Sequence, residues 1–466
     1  MAARTKPSRK IAARQISRRE GPPPVDVSRS DAGEWAAGLR RDSRGELVRD
    51  VANVTHVLVH HPEWIGRLAF DEFSSLVKLW DRPPFDDDCV RHAMDADDDE
   101  VDQAMPWEPR AITDDDLRAL RVWLSRRLGI SASRDDVFDG VLLAAKTNSL
   151  HPVRDWLLGC AGEWDRVPRI SSWLTEFLGV EKSEYSARVS EMFLLQAVRR
   201  VFVPGCKADY TLVLEGAQGA GKSSALRVLA REWFLDTDLD LSSKDALLAL
   251  NGRWIVELSE LASIERLSAE RLKSFLSRQS DVFRPPYGRT PVDVPRQCVF
   301  AATTNAEEYL LDDTGGRRFW PVRVGRVDLE GLAACARQLW AEATERVLDR
   351  AQSWPSEEEQ REWFAPQQAA RIVGDLWQDP VRAWLEQQIR RHDWAGHVTG
   401  NRILEVALSV PPAQQDQRAA NRLRRVLTRL GWHKRKLSAK ATLGEGTSWA
   451  WFPPEGLSDG IQQPLV

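Results

Sequence analysis

Residues 210–224 read YTLVLEGAQGAGKSS, and this stretch decides the fold class. Its apolar and β-branched beginning predicts a buried strand. The strand runs directly into Gly216-Ala217-Gln218-Gly219-Ala220-Gly221-Lys222-Ser223, which matches the phosphate-loop pattern G-x-x-x-x-G-K-[ST]. Ser224 opens an Ala/Leu-rich helix, so the pattern stands between a strand and a helix. We therefore expect an α/β P-loop NTPase core with a mostly parallel sheet.

The residue types of this loop suit nucleotide phosphates. Backbone N–H groups between Gly216 and Ser224 can surround phosphate oxygens at a helix N-terminus. Lys222 can reach the β- and γ-phosphates, and the Ser223 hydroxyl can ligate Mg²⁺. The sequence therefore predicts ATP and Mg²⁺ as cofactors.

A second strand is predicted at residues 253–258, RWIVEL, with two acids at its carboxyl end. An acid at this place must meet Mg²⁺ or water. Glu257 and Glu260 are three positions apart, so they face opposite sides of a regular strand. We assign Glu260, which lies farther along, to the activation of water and Glu257 to Mg²⁺. The alternative for Glu257 is a salt bridge to a neighbour.

Polar residues also follow the next predicted strand, at residues 298–304. Asn305 ends it, where an amide can orient the attacking water and sense the γ-phosphate, although Asn is also an ordinary turn residue. The glycine turn of 314–320, TGGRRFW, then carries Arg317 and Arg318. One of them can act as an arginine finger from a neighbouring subunit, or both can form surface salt bridges.

The composition excludes several protein classes. A chain of 466 residues suits several domains. No apolar run approaches the ~20 residues that a membrane helix needs, so no membrane partner is expected. The five cysteines are scattered without a C-x-x-C pair, which excludes a zinc ribbon and a disulfide scaffold and favours a cytoplasmic location.

The N-terminal third of the chain divides into two predicted segments. Residues 1–24 form a basic, disordered arm with seven Lys/Arg among the first 20 positions, and a transit peptide is the alternative. Residues 25–158 form an α-helical domain, in which Thr113 is placed to cap a helix. Its segment 86–102 holds nine acids, which we interpret as a solvated loop rather than a metal site.

The ATPase domain is predicted at residues 159–350 and a further domain at 375–456. The order of helices and a hairpin in the latter is winged-helix-like. Residues 417–440 hold nine Lys/Arg and no acid. A surface that docks a protein and a merely solvated surface are the alternatives for this region.

Two groups of basic residues are predicted to bind DNA. The first lies between the acidic strand and Asn305, where basic and aromatic residues alternate, and the second follows helical spacing along one face. The candidates are Lys273, Arg284 and Arg289 in the first group and Arg422, Arg425 and Arg429 in the second.

Long strings of this sequence resemble the virulence-associated E family of P-loop ATPases, over roughly residues 145–350. That family occurs in phages and mobile islands and resembles superfamily 3 helicases, which form hexameric rings on single-stranded DNA. The strings are HPVRDWL from His151, PGCKADYTLVLEGAQGAGKS from Pro204, SKDALLALNGRWIVELSEL, FLSRQSDVFRPPYGR, VPRQCVFAATTN and TGGRRFWPV.

The resemblance implies a hexameric, ATP-hydrolysing DNA helicase or replication ATPase of a phage or mobile element. Its implied partners are single-stranded or forked DNA, further copies of the chain and replication proteins of the host. Superfamily 3 helicases commonly carry adjacent Walker B acids, whereas Leu258 and Ser259 separate the two acids here. The implied roles are Walker A for Lys222 and Ser223, Walker B for Glu257 and Glu260, sensor for Asn305, DNA contact for Lys273 and finger for Arg317 or Arg318.

Two further expectations concern activity. The region before residue 150 shows no convincing primase strands, so we expect no priming activity. The alternatives to a DNA motor are a non-motor, ATP-dependent DNA-binding initiator or switch and, third, a P-loop kinase.

Overall fold

The computed structural model describes residues 34–85, 107–236, 244–259, 269–284, 290–306, 309–310, 316–372, 375–391, 393–436 and 449–454. The chain divides into two compact units, Met1–Arg371 and Ile372–Val466. The predicted basic arm at 1–24 and the predicted acidic loop at 86–102 lie outside the described residues. None of the described helices is both long and apolar enough to cross a bilayer.

The N-terminal part of the first unit combines three helices with a small sheet around its own apolar core. Its elements are a 3-10 turn at Trp35–Gly38, α1 at Val51–His60, β1 at Leu68–Asp71, β2 at Leu76–Leu79, β3 at Arg110–Ala111, α2 at Asp114–Leu128, α3 at Arg134–Lys146 and β4 at Ser149–Leu150.

This sheet was not expected in a domain that was predicted as α-helical. The strand order is β3-β2-β1-β4, and each strand is only two or four residues long, too short to give a clear alternating pattern. The predicted cap of α2 is confirmed. The Thr113 hydroxyl accepts the Asp116 N–H at 3.3 Å, and the Asp116 carboxylate accepts the Thr113 N–H at 2.7 Å.

The central part of the first unit is an α/β core. Its elements are α4 at Pro152–Gly162, α5 at Trp173–Leu178, α6 at Glu184–Phe202, β5 at Thr211–Glu215, α7 at Lys222–Ala230, a 3-10 turn at Arg231–Trp233, β6 at Phe234–Asp236, α8 at Lys244–Ala249, β7 at Ile255–Leu258, α9 at Ala269–Leu276, β8 at Ser280–Phe283, β9 at Val292–Pro295, β10 at Val299–Thr304, β11 at Phe319–Arg323 and α10 at Leu329–Leu348.

Five of these strands form one sheet in the order β11-β5-β10-β7-β6, and every neighbouring pair is parallel. All residues of β5, β7 and β10 are buried, as expected for a parallel sheet with both faces covered. The predicted α/β core with a mostly parallel sheet is therefore confirmed. Since β10 lies between β5 and β7, the carboxyl ends of these three strands meet at one edge.

The core extends beyond the predicted domain boundary at residue 350. Helical residues 357–369, built from Glu357–Glu359, Gln360–Phe364 and Ala365–Ala369, pack on the same side-chain cluster. Phe364 is fully buried there, with its ring 4.9 Å from Tyr185 and 5.7 Å from Trp320. The segment after α10 is therefore part of the first unit.

β8 and β9 form a separate antiparallel hairpin between α9 and β10. Its base is held by a buried ion pair, in which Arg296 donates to Asp281 at 2.6 and 2.8 Å. The third guanidinium nitrogen donates to the Phe275 carbonyl at 2.6 Å. The hairpin is thus joined to α9 on one side and to the start of β10 on the other.

The described residues of the second unit form four helical segments and a three-stranded sheet. The helical pieces Glu357–Glu359 and Ala365–Ala369 of the first unit are labelled α11 and α12, so the helices of the second unit begin at α13. The elements of the second unit are α13 at Gln378–Ile389, β12 at Val398–Thr399, α14 at Gly400–Arg402 continuing as a π-helical segment Ile403–Ala407, a 3-10 turn at Pro412–Gln414, α15 at Gln417–Arg429, β13 at His433–Lys436 and β14 at Trp449–Phe452. The sheet order is β12-β14-β13.

Arg422 has a role inside this second unit. Its guanidinium donates to the Asp375 carboxylate at 2.8 and 3.0 Å and lies 4.2 Å from the centre of the Trp377 ring. The predicted set Arg422, Arg425 and Arg429 is therefore not uniform, because Arg425 is exposed whereas Arg422 stabilises the packing of α15. Arg422 thus has a structural role in this unit, and DNA contact by Arg422 stays a prediction.

We expect Arg422→Ala to destabilise α15 by about 1 kcal/mol, because it removes a partly exposed ion pair and a cation–π contact. Hydrogen exchange of the amides of residues 417–429 in the full chain measures this. Arg425→Ala is the matched control and should leave the exchange rates unchanged. Equal exchange in the two variants would contradict the assignment.

Candidate nucleotide-binding site

The phosphate loop joins β5 to α7 at the carboxyl edge of the sheet. β5 ends at Glu215 and α7 begins at Lys222, so residues 216–221 form the turn between them. Gly219 and Gly221 have φ values of 80° and 84°, in the left-handed region that side chains disfavour. The glycines of the motif are therefore required by the backbone path.

The Lys222 side chain folds back onto the phosphate loop. Its ammonium donates to the Gly216 and Ala217 carbonyls at 2.7 and 2.8 Å, and to Asn305 Oδ1 at 3.2 Å. Burial lowers the pKa of Lys222 from its ordinary value. The structure thus brings together two side chains that lie 83 positions apart in the chain and were both predicted for the site.

Glu257 is the centre of a second cluster beside the loop. Its Oε1 accepts the Ser223 hydroxyl at 2.8 Å and the Thr303 hydroxyl at 2.6 Å. Its Oε2 is buried and has no hydrogen-bond partner among the described residues. Burial raises the pKa of the Glu257 carboxyl, and the Asp236 carboxylate raises it further.

This donor set fits a magnesium ion. Mg²⁺ prefers oxygen ligands and is commonly bound through one or two carboxylates. A buried carboxylate oxygen without a partner, next to a serine hydroxyl, supplies such oxygens, and a cation would remove the cost of burying the charge. Ser223 and Glu257 are the residues that would hold the metal.

Sequence reasoning missed two neighbours of Glu257. Thr303 lies within the predicted strand at residues 298–304 but was not predicted as a site residue, and neither was Asp236. Asp236 pairs in register with Glu257 on the adjacent strand, and it accepts the Ser259 hydroxyl at 3.2 Å. No sequence motif marks Asp236, so only its strand pairing with Glu257 identifies it as a neighbour of the site. Glu260 lies outside the described residues, so its assignment to water stays a prediction.

The two candidate finger residues differ in their surroundings. Arg318 donates through Nε to the Ser277 hydroxyl at 3.0 Å and lies 3.7 Å from the Asp209 carboxylate. The Arg317 side chain is exposed and makes no hydrogen bond or ion pair with any residue that the structure describes. Arg317 is therefore the one presented outward, whereas Arg318 is engaged within its own chain.

The predicted DNA-contact residues of the first group lie around the hairpin. Lys273 is half-buried on α9, and Arg284 is exposed directly after β8. Arg289 lies outside the described residues. Arg429, at the end of α15 in the second unit, is half-buried.

Residues 157–372 match the family model of the Virulence-associated protein E-like domain, which confirms the predicted resemblance. An apo structure of the NrS-1 C terminal region is similar with a TM-score of 0.40 and 12% identity, over 78% of this chain and 83% of that chain. The A form of the apo NrS-1 C terminal region has a TM-score of 0.44 and 11% identity, over 83% of this chain and 96% of that chain. No curated protein matches the chain.

The raised pKa of Glu257 predicts a pH-dependent stability. The folded protein holds this proton more tightly than the unfolded chain, whose carboxyl has its ordinary pKa of 4.5. Stability is therefore lost as the pH rises from about 4.5 through the folded pKa. In magnesium-free buffer, we expect the unfolding temperature of the wild type to fall, relative to that of Glu257→Gln, as the pH rises through this range.

Addition of Mg²⁺ at neutral pH should raise the unfolding temperature of the wild type and leave Glu257→Gln unchanged. Parallel curves for the two proteins at every pH, with and without Mg²⁺, would contradict the assignment of Glu257.

Proposed function

We propose that this protein is an ATP-hydrolysing replication ATPase of a phage or mobile element, and a superfamily 3-like DNA helicase. The observation that carries the proposal is the meeting of Lys222, Ser223, Glu257 and Asn305 at one edge of a parallel sheet. Ligands of open parallel sheets bind at this edge. The match to the virulence-associated protein E-like domain supports the same family of functions.

The chemistry follows from these residues. Lys222 contacts the β- and γ-phosphates, and the N–H groups of the loop surround their oxygens. Ser223 and Glu257 would hold Mg²⁺, which would supply positive charge to neutralise the phosphates. Glu260 accepts a proton from the attacking water, and Asn305 orients that water. Thr303 fixes the Glu257 carboxylate in place through its 2.6 Å hydrogen bond.

The protein acts as a ring, with six subunits as the family resemblance suggests. Arg317 stabilises the transition-state charge in the site of the next subunit. Its exposed side chain, unlike that of Arg318, is available for a neighbour. Each active site then requires two subunits.

DNA is contacted by two regions. The first region binds single-stranded DNA through Arg284 and Arg289, between β8 and β9, and through Lys273 on α9. Basic groups pair with phosphates, and aromatic rings stack on bases. The second unit is a winged helix that supplies affinity. Its elements follow the order helix, strand, helix, helix and hairpin, and the exposed face of α15 carries Arg418, Arg424 and Arg425.

Lys222→Ala should reduce ATP turnover by about 100-fold or more, because it removes the charge that acts on the phosphates. Turnover with and without single-stranded DNA, together with the unfolding temperature, tests this. Lys182→Ala, which changes an exposed lysine outside the site, is the control. Unchanged turnover in a folded Lys222→Ala protein would overturn the ATPase assignment.

Arg317→Ala subunits should be inactive alone, because each site lacks its finger, yet they should regain activity when mixed with Lys222→Ala subunits. A mixed interface pairs an intact loop with an intact finger. Turnover of the mixture against each variant alone is the measurement. A wild-type monomer that keeps full activity at high dilution would exclude a finger supplied by a neighbour.

Lys273→Ala should abolish strand separation while ATP hydrolysis continues, since Lys273 lies between the acidic strand and the hairpin.

Removal of residues 375–466 should instead lower DNA affinity and its salt dependence, with basal ATPase largely kept. Binding, hydrolysis and strand-separation assays on both proteins distinguish the two regions. Normal unwinding by Lys273→Ala would exclude its role in the motor, and a protein that hydrolyses ATP without ever unwinding DNA would be a switch.

A further inference from the structure

A buried hydrogen-bonded clamp lies directly before the phosphate loop. Glu215, the last residue of β5, accepts Arg371 Nε on Oε1 at 2.8 Å and Arg371 Nη2 on Oε2 at 2.9 Å. The Tyr309 hydroxyl donates to the same Oε1 at 2.8 Å. Glu215 and Arg371 lie 156 positions apart, so the clamp joins distant parts of the chain.

The protonation states of Tyr309 and Arg371 are fixed by their surroundings. Burial, and then the Glu215 carboxylate, raise the pKa of Tyr309 far above its ordinary value, so its hydroxyl keeps its proton and donates it. The hydrogen bond and charge of Glu215 raise the pKa of Arg371, which is therefore a permanent cation. The carboxylate thus accepts three charge-assisted hydrogen bonds, a strong and directional arrangement.

The clamp also holds the segment that follows Asn305. The Arg371 carbonyl accepts the backbone N–H groups of Tyr309 and Leu310 at 3.1 and 3.0 Å. Arg371 therefore binds the end of β5 through its side chain and the chain after β10 through its backbone. Gly216 directly follows Glu215, and Tyr309 follows Asn305 by four positions; both Gly216 and Asn305 contact Lys222.

We propose that Arg371 is a positioning residue of the nucleotide site. It holds the start of the phosphate loop and the segment after Asn305 in one register, so that Lys222 and Asn305 address the same phosphate group. The inference rests on the proposed ATPase function and adds a residue that contacts neither nucleotide nor metal. Misplacement of catalytic groups by about 1 Å is enough to lower activity strongly.

A merely structural pair would act differently. Arg188 and Glu359 form a comparable ion pair at 2.7 Å in the same unit, and both side chains are largely buried. This pair joins α6 to the helical segment 357–369 and does not reach the phosphate loop or β10. Its loss should loosen packing without moving the nucleotide site.

Two conservative variants with matched controls test the proposal. Tyr309→Phe removes one hydrogen bond to Glu215 and buries no new charge, and Arg371→Lys keeps the charge but loses the paired geometry. Tyr185→Phe is the control for the first, because this buried hydroxyl donates at 2.9 Å to the Pro321 carbonyl instead. Arg188→Lys is the control for the second.

The measurements, on the full chain, are the Kd for a fluorescent ATP analogue with Mg²⁺, kcat and KM for ATP, and the unfolding temperature. Tyr309→Phe and Arg371→Lys should each weaken binding of the analogue about tenfold, as expected for a lost hydrogen bond to a charged group. The controls should bind within about twofold of the wild type, since they leave the loop in place. Unfolding temperatures should fall by similar amounts in each matched pair.

If the wild type hydrolyses ATP, and Tyr309→Phe and Arg371→Lys bind the analogue as tightly as their controls do, the positioning role alone is overturned. A wild type that neither binds the analogue nor hydrolyses ATP would overturn the proposed function and the positioning role with it.

Discussion

The parallel pairing of β10 with both β5 and β7 is the constraint on which the site depends. Thr304 pairs with Glu215 on one side, and Ala302 pairs with Leu258 on the other. This register brings the phosphate loop, the acidic strand and Asn305 to one edge, although they lie far apart in the sequence. The hydrogen bond from Lys222 to Asn305 and those that Glu257 accepts from Ser223 and Thr303 are consequences of that arrangement, because no local segment could place these partners together.

Much of the core was predictable from sequence because its signals are local. The phosphate loop, the apolar strands that end at Glu215 and Asn305, and the cap at Thr113 each depend on residues within a few positions of one another. The small N-terminal sheet was missed because its strands are too short to show a period. The extension of the core past residue 350 was not predicted for a related reason, since the contact that carries it, Phe364 against Tyr185, lies between distant residues.

The arginines illustrate what sequence alone does not determine. Arg296, Arg318, Arg371 and Arg422 are engaged inside their units, whereas Arg317 and Arg425 are exposed. Adjacent residues such as Arg317 and Arg318 have the same chemistry in the sequence and different surroundings in the structure. A guanidinium can satisfy a buried carboxylate, cap carbonyl groups or face solvent, and tertiary contacts decide which.

The hairpin and β10 together form a mechanical connection. Arg296, fixed to β8 by its ion pair with Asp281, is separated from β10 only by Gln297 and Cys298. The six residues of β10 then span about 20 Å before Asn305. Strands pair with β10 on both sides. The base of the hairpin and the amide beside Lys222 therefore lie at the two ends of one strand that is held in the middle of the sheet.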